Sequence, residues 1–170
     1  MISHDIPAAN SAKDVAPYEE TVRPEWIDYN GHMNVAYYLL VFDHASDALL
    51  DQLGLGIDYC KHENSSLFVV ETHITYQREV LEGDDLRVST RILGFDAKRL
   101  HLFHEMYHVG SGNVAATNEV MLLHVDMTVR RAAGFPQSVL DRIEPVFKCH
   151  QKLKVPPQAG RAIKIPNALI

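Results

Sequence analysis

The densest run of reactive side chains is Asp28-Tyr29-Asn30-Gly31-His32-Met33-Asn34, which holds a carboxylate, an imidazole and two carboxamides. Asn34 is a good helix N-cap, because its side chain accepts a free amide of the first turn, and a helical apolar periodicity begins just after it. Asp28 therefore precedes a helix by a few residues. A carboxylate placed there can act as a general base on water, or attack an acyl carbon directly and form an anhydride. Amides at a helix start are unpaired and point outward, and the dipole there favours negative charge, so a developing oxyanion would be held. Gly31 would let the backbone come close to a bound group. Each residue also has a plainer use. Asp28 can be a turn-former, His32 can hold the turn by hydrogen bonds, and Asn34 can be a cap and nothing more.

Other chemistries find less support. Of the ten histidines, His101, His104 and His108 share one predicted strand, but His101 faces away from the other two. No HExxH or His/Cys cluster occurs, so neither a metal nor another cofactor is expected. Gly-x-Ser-x-Gly is also absent, which argues against a serine hydrolase. Cys60 and Cys149 form no CxxC pair and read as two reduced thiols of a cytoplasmic protein.

The elements that must position Asp28 follow from local pattern. Residues 1–17 are small, polar and proline-punctuated, and read as a loose arm. Residues 18–26 alternate as a strand, with Pro24 near its end. The helix spans 34–53, with Tyr38, Val41, Phe42, Ala45 and Leu49 on one stripe, Asp43, Asp47 and Asp51 on the wet side, and Gly54 as its C-cap. Residues 56–66 read as a loop. Strands are then expected over 67–80, 86–95, 99–109 and 114–129, separated by turns at 82–85, 96–98 and 110–113. In the first of these, Val70, Thr72, Ile74 and Tyr76 share one face and Glu71, His73 and Thr75 the other. Pro136 starts a second helix that runs to about 149, and 151–170 is irregular. Consecutive strands on short turns must be antiparallel. A curved antiparallel sheet wrapped round one long central helix, an α+β fold, buries both apolar sides over 18–150.

The bulk numbers agree with one domain. The chain has 170 residues, 46% apolar and 22% charged. No run approaches the ~18 apolar residues of a membrane helix, and the first residues lack the pattern of a secretory signal. Net charge is −6, unevenly spread: from Lys148 onward there are five basic residues and no acid, which leaves −11 elsewhere. An acidic body argues against nucleic acid as a partner. The basic tail can meet a polyanion or simply be solvated.

The motif Asp28, Gly31, His32, Asn34 resembles the Asp-x-x-Gly-His-x-Asn pattern of hotdog-fold acyl-CoA thioesterases of the hydroxybenzoyl-CoA thioesterase type. There the pattern joins the first strand to the central helix. The resemblance implies the hotdog fold, hydrolysis of an acyl-CoA without a cofactor, and Asp28 as base or nucleophile. By alignment to the pattern it also implies the Val35 backbone amide near the thioester oxygen. The longer runs TVRPEWIDYNGHMNVAYYLLVFDHASDALL, VETHITY and KRLHLFHEMYH are similar to betainyl-CoA thioesterases, which release glycine betaine in carnitine breakdown and occur alone or fused to carnitine dehydrogenases. A trimethylammonium acyl group wants aromatic faces and a nearby carboxylate. Trp26, Tyr29 and Tyr37 are the candidate rings. Glu71 is a candidate carboxylate, since some relatives use one from another element, and it can equally be an exposed or interface-paired residue. CoA phosphates want bases such as Lys98 and Arg99, or Arg130 and Arg131 after the last strand. A homodimer or dimer of dimers is expected, because one layer leaves a sheet face and the edge of the long last strand uncovered. A broad short-chain acyl-CoA thioesterase and a non-catalytic acyl-CoA-binding protein remain the alternatives.

Overall fold

The structure, a computed structural model, describes residues 15–165. Most of the arm expected over 1–17 lies outside the described residues, as do 166–170. The central helix α1 (Val35–Gln52) begins and ends as its sequence dictates. The Asn34 side chain accepts the Ala36 amide at 3.0 Å, a cap worth about 1 kcal/mol. Gly54, at φ +66°, takes the left-handed position that closes a helix. The stripe Tyr38, Val41, Phe42, Ala45 and Leu49 is buried throughout.

That stripe rests on a curled sheet made of β1 (Tyr18–Thr21), β2 (Ser65–Tyr76), β3 (Asp85–Phe95), β4 (Arg99–His108), β5 (Asn113–Asp126) and the two-residue β6 (Arg131–Ala132). The order is β1-β3-β4-β5-β2, with β6 on β5, and every pairing is antiparallel. Leu86, Val88, Ile92, Leu100, Leu102, Met106, Val120 and Leu122 meet the helix from the sheet's inner face. Each such side chain gains about 1.5–3 kcal/mol on leaving water. Beyond the C-terminal half of α1, α3 (Gln137–His150) closes the same core with Val139 and Ile143. This is the hotdog arrangement.

The structure departs from the local reading at several places, four of which shape the site and the sheet. Pro24 fixes its own φ and opens a 3-10 turn over Pro24–Trp26, so the first strand is only four residues long. The expected loop after α1 holds a short helix, α2 (Ile57–Glu63), which ends on Asn64 at φ +46°. A bulge at Val70 places two residues against one of β5, so Val69, not Val70, shares the face of Thr72, Ile74 and Tyr76. Finally, the long last strand β5 is interior, between β4 and β2, and the sheet's edges are the short β1 and the long β2. Pairing order is a long-range property that a run of turns does not disclose.

Among the polar residues of the inner face, His104 is fully buried. Ser46 Oγ donates to the Phe42 carbonyl at 3.0 Å, so His104 Nε2–H donates to Ser46 Oγ at 3.1 Å and Thr90 Oγ1 donates to Nδ1 at 2.9 Å. Burial holds its pKa down at about 3. The unfolded chain takes up a proton near 6.5 and the folded one does not. The stabilisation is therefore complete above pH 6.5 and is lost as pH falls toward 3, at up to about 1.4 kcal/mol per pH unit. Denaturant titrations of wild type and His104→Gln between pH 4 and 7 should show a shallower slope in the variant. Equal slopes would exclude this source.

Residues 151–165 form no helix or strand, but they are not simply solvated. Arg91 Nη1 donates to the Lys154 carbonyl at 3.1 Å and the Gly160 amide to Glu119 Oε2 at 2.6 Å, which ties the segment to the sheet's outer face. Lys152, Lys154 and Arg161 remain exposed.

Candidate active site

Residues 27–33 form a tight loop that pairs with itself before α1 begins. Ile27 bridges Met33, the Asp28 amide donates to the His32 carbonyl at 3.0 Å, and the Gly31 amide donates to the Asp28 carbonyl at 3.0 Å. The turn needs φ +83° at residue 31, which suits glycine, and a Cβ there would meet no neighbour within 4 Å. Gly31 thus serves the turn itself. The loop is pinned to the fold on both sides, by Met33 N to the Val80 carbonyl at 2.9 Å and by Asn34 N to the Trp26 carbonyl at 2.8 Å.

Within that frame, the half-buried Asp28 accepts the Asn30 amide on Oδ1 at 2.8 Å. No partner for Oδ2 occurs among the described residues. The first turn of α1 is mostly satisfied: Ala36 N donates to Asn34 Oδ1 and Tyr37 N to the Asn34 carbonyl at 3.0 Å. Among the described residues the Val35 amide has no acceptor, and Val35 is 56% exposed. His32 Nδ1 lies 3.3 Å from the Met33 carbonyl, which can only accept. Nδ1 therefore carries a proton, and Nε2 is left for a ligand.

A cleft of about 480 Å³ opens at this loop, lined by Asp28, Tyr29, His32, Asn34 and Val35, by Tyr38 of the helix, and by Tyr76 to Glu79 at the end of β2. Tyr76 meets Tyr38 edge-on, with centroids 5.2 Å apart at 87°. Burial pushes the Tyr38 hydroxyl above its ordinary pKa, and the negative charges of Glu79 and Asp28 add to the rise. A carboxylate, a free helix amide and an imidazole thus share one open cleft, a combination suited to water attack on a carbonyl.

The expected site residues fall into two groups. Asp28, Tyr29, His32, Asn34 and Val35 line the cleft, with Gly31 in its turn. Trp26 does not: it is 3% exposed and stacks on Tyr37 at 5.4 Å and 14°, with Arg23 over its ring at 4.9 Å. These two rings support the motif from behind. Glu71 lines a separate cavity of about 510 Å³, with His73, His101 and Glu119, beneath the C-terminal segment. Lys98 closes the β3–β4 turn and Arg99 opens β4, where it pairs with Asp96 at 2.6 Å. Arg99 is level with Leu123 and Phe68, and Phe68 is eight residues from Tyr76 on β2, or roughly 25 Å at strand rise. Arg130 and Arg131 lie with Lys98 and Arg99 at that far end. Tyr76, Arg78 and Glu79 went unpredicted. Their only sequence signal is a polar run at the end of a strand pattern. Among the described residues no cluster of three or more His, Cys, Asp or Glu is arranged to hold a metal, and no helix is long and apolar enough to cross a membrane.

Comparison with known proteins bears on this cleft. The profile of the Thioesterase-like superfamily matches residues 22–143. The chain is 46% identical over 149 residues to the betainyl-CoA thioesterase of Pseudomonas aeruginosa, which covers 88% of this chain and 94% of that one. It is 37% identical to the L-carnitine dehydrogenase/betainyl-CoA thioesterase of a Rhizobium species, covering 88% of this chain but 31% of that longer protein. Among solved structures, a hypothetical protein of Staphylococcus aureus in complex with CoA superposes with a TM-score of 0.83 at 34% identity, over 88% of this chain and 94% of that one.

Proposed function

Since the chain belongs to the Thioesterase-like superfamily, we propose that it hydrolyses betainyl-CoA to glycine betaine and CoA, a step of carnitine breakdown. The single observation that carries the reading is Asp28 beside the unpaired Val35 amide in an open cleft. Asp28 acts on the thioester carbonyl as general base toward water, or as nucleophile. Val35 N–H, at the positive end of the α1 dipole, holds the oxyanion. Asn34 shapes the helix start and His32 offers Nε2 to the thioester or the leaving sulfur. The similarity to a protein solved with CoA supports CoA as the carrier, and the similarity to betainyl-CoA thioesterases supports the acyl group.

A panel of betainyl-CoA, butanoyl-CoA and palmitoyl-CoA with a thiol-trapping reagent tests the proposal. Thiol should appear fastest from betainyl-CoA. Equal rates for betainyl-CoA and butanoyl-CoA would favour the broad short-chain reading. No thiol from any of the three would leave only an acyl-CoA-binding protein.

The proposal includes a homodimer, alone or within a dimer of dimers. β2 is a twelve-residue edge strand, and Phe68, Val69 and Val70 on it are 37%, 48% and 53% exposed. An uncovered apolar edge of that length is a template for pairing with a second copy. Light scattering at micromolar concentration should give about twice the 19.2 kDa of one chain. Val70→Lys should shift the mass toward the monomer. A wild-type monomer would contradict the assembly. In one chain Lys98 and Arg99 lie at the end of β2 far from the cleft, so their proposed phosphate contacts, like a part for Glu71, are assigned to the second subunit. Cys60 and Cys149 are both free thiols, which suits a reducing compartment such as the cytoplasm.

A further inference from the structure

We infer that Glu79 and Tyr76, backed by Tyr38, form the seat for the quaternary ammonium of the acyl group; the inference rests on betainyl-CoA being the substrate. The small size of that group limits where it can lie. One methylene separates the thioester carbon from the nitrogen, so the cation lies about 2.5 Å from the reacting carbon, the span of an N–C–C unit. A carbonyl held between Asp28 and the Val35 amide therefore places the ammonium inside the same cleft. Within one chain, rings and carboxylates elsewhere are out of reach. Trp26 and Tyr37 are stacked on each other behind the loop. Glu71 is five residues from Tyr76 along β2, roughly 16 Å away.

A trimethylammonium group donates no strong hydrogen bond, so it is recognised by ring faces and negative charge. Three tyrosines line the cleft, and they are not equivalent. Tyr29 is 97% exposed, and among the described residues no ring contact or hydrogen bond holds its side chain. Tyr76 is held twice, by its hydroxyl on the Val35 carbonyl at 3.4 Å and by its edge-on contact with Tyr38. Tyr38 is itself anchored on the Arg78 carbonyl at 3.4 Å. A ring fixed at both ends is a preformed surface, which costs little ordering when a ligand arrives.

Two carboxylates line the cleft, and the reaction uses Asp28. Glu79 makes no hydrogen bond or ion pair among the described residues. Its charge acts on Tyr38, so it lies within electrostatic reach of the rings. Arg78 brings one positive charge on the same segment and suits the anionic end of CoA. Two carboxylates against one guanidinium favour a cationic acyl group over a neutral one of the same shape.

The test compares kcat/KM for betainyl-CoA with that for 3,3-dimethylbutanoyl-CoA, which has the same shape without the charge. Both substrates are measured on one preparation, so partial unfolding cancels in the ratio. Wild type should prefer the cation. Glu79→Gln and Tyr76→Leu should each lower the ratio by about tenfold, within the limit of up to about thirtyfold for a desolvated cation–ring contact. Tyr76→Phe keeps the ring and should hold the ratio within about twofold of wild type. A wild-type preference that survives both Glu79→Gln and Tyr76→Leu would overturn the seat and leave the substrate reading standing. A fall in only one variant would remove the other residue from it. A wild type without preference would overturn both the seat and the substrate.

Discussion

Asp28→Asn is expected to lose at least about 100-fold in kcat on betainyl-CoA, the lower end of what a positioned acid–base group contributes. The fold should be unaffected for a specific reason. The only hydrogen bond Asp28 makes through its side chain, among the described residues, is acceptance of the Asn30 amide on Oδ1. An asparagine carbonyl accepts the same bond, so the 28–32 turn and the start of α1 stay in place. What the substitution removes is the negative charge and the proton-accepting oxygen. The variant should therefore melt with wild type and bind acyl-CoA while failing to turn it over. Stopped thiol-trapping traces at saturating substrate, beside a thermal melt, measure both halves. Near-wild-type turnover would return Asp28 to the role of a turn residue.

The second large effect is expected from Val35→Pro, which removes one hydrogen atom's worth of chemistry at the helix start. Proline is tolerated at the first helical position, where its missing N–H had no partner inside the helix. The residue before it must be extended, and Asn34 already is, at φ −62° and ψ 142°. The helix and its cap should thus persist. The oxyanion donor does not, and loss of such a donor costs about 10²–10³ in kcat. The loss should fall on kcat more than on KM, because the amide meets charge that develops only during the reaction. A variant with wild-type kcat would move the oxyanion site off the α1 terminus.

Much of this frame was legible before the fold was known, and the reason is locality. The α1 stripe, the Asn34 cap, the Gly54 stop and the turns at Gly83 and Gly112 are each set by a few neighbouring residues. So was the loop of 28–34, since Asp28, Gly31 and Asn34 do their backbone work within it. What was not legible depends on partners far along the chain. Trp26 and Tyr37 look like free rings next to the motif, yet Trp26 is buried and Tyr37 stacks on it, because nothing in their own segment tells which side faces the sheet. Val70 looks inward-facing until the bulge against β5 displaces it. Tyr76, Arg78 and Glu79 reach the cleft only because Val80 holds Met33, a contact across 47 positions. The edge strand was misplaced for the same cause: antiparallel neighbours follow from short turns, but the return of β2 to the far side of β5 does not.

The measurement that bears most directly on the central claim is the fate of betainyl-CoA itself. Purified protein is incubated with it in water enriched in oxygen-18 through many turnovers, and the products are weighed by mass spectrometry. One free CoA should appear per glycine betaine released, with a labelled oxygen in the betaine carboxylate, because water supplies the new C–O bond as the C–S bond breaks. Betainyl-CoA recovered intact and unlabelled, however tightly the protein binds it, would contradict that claim.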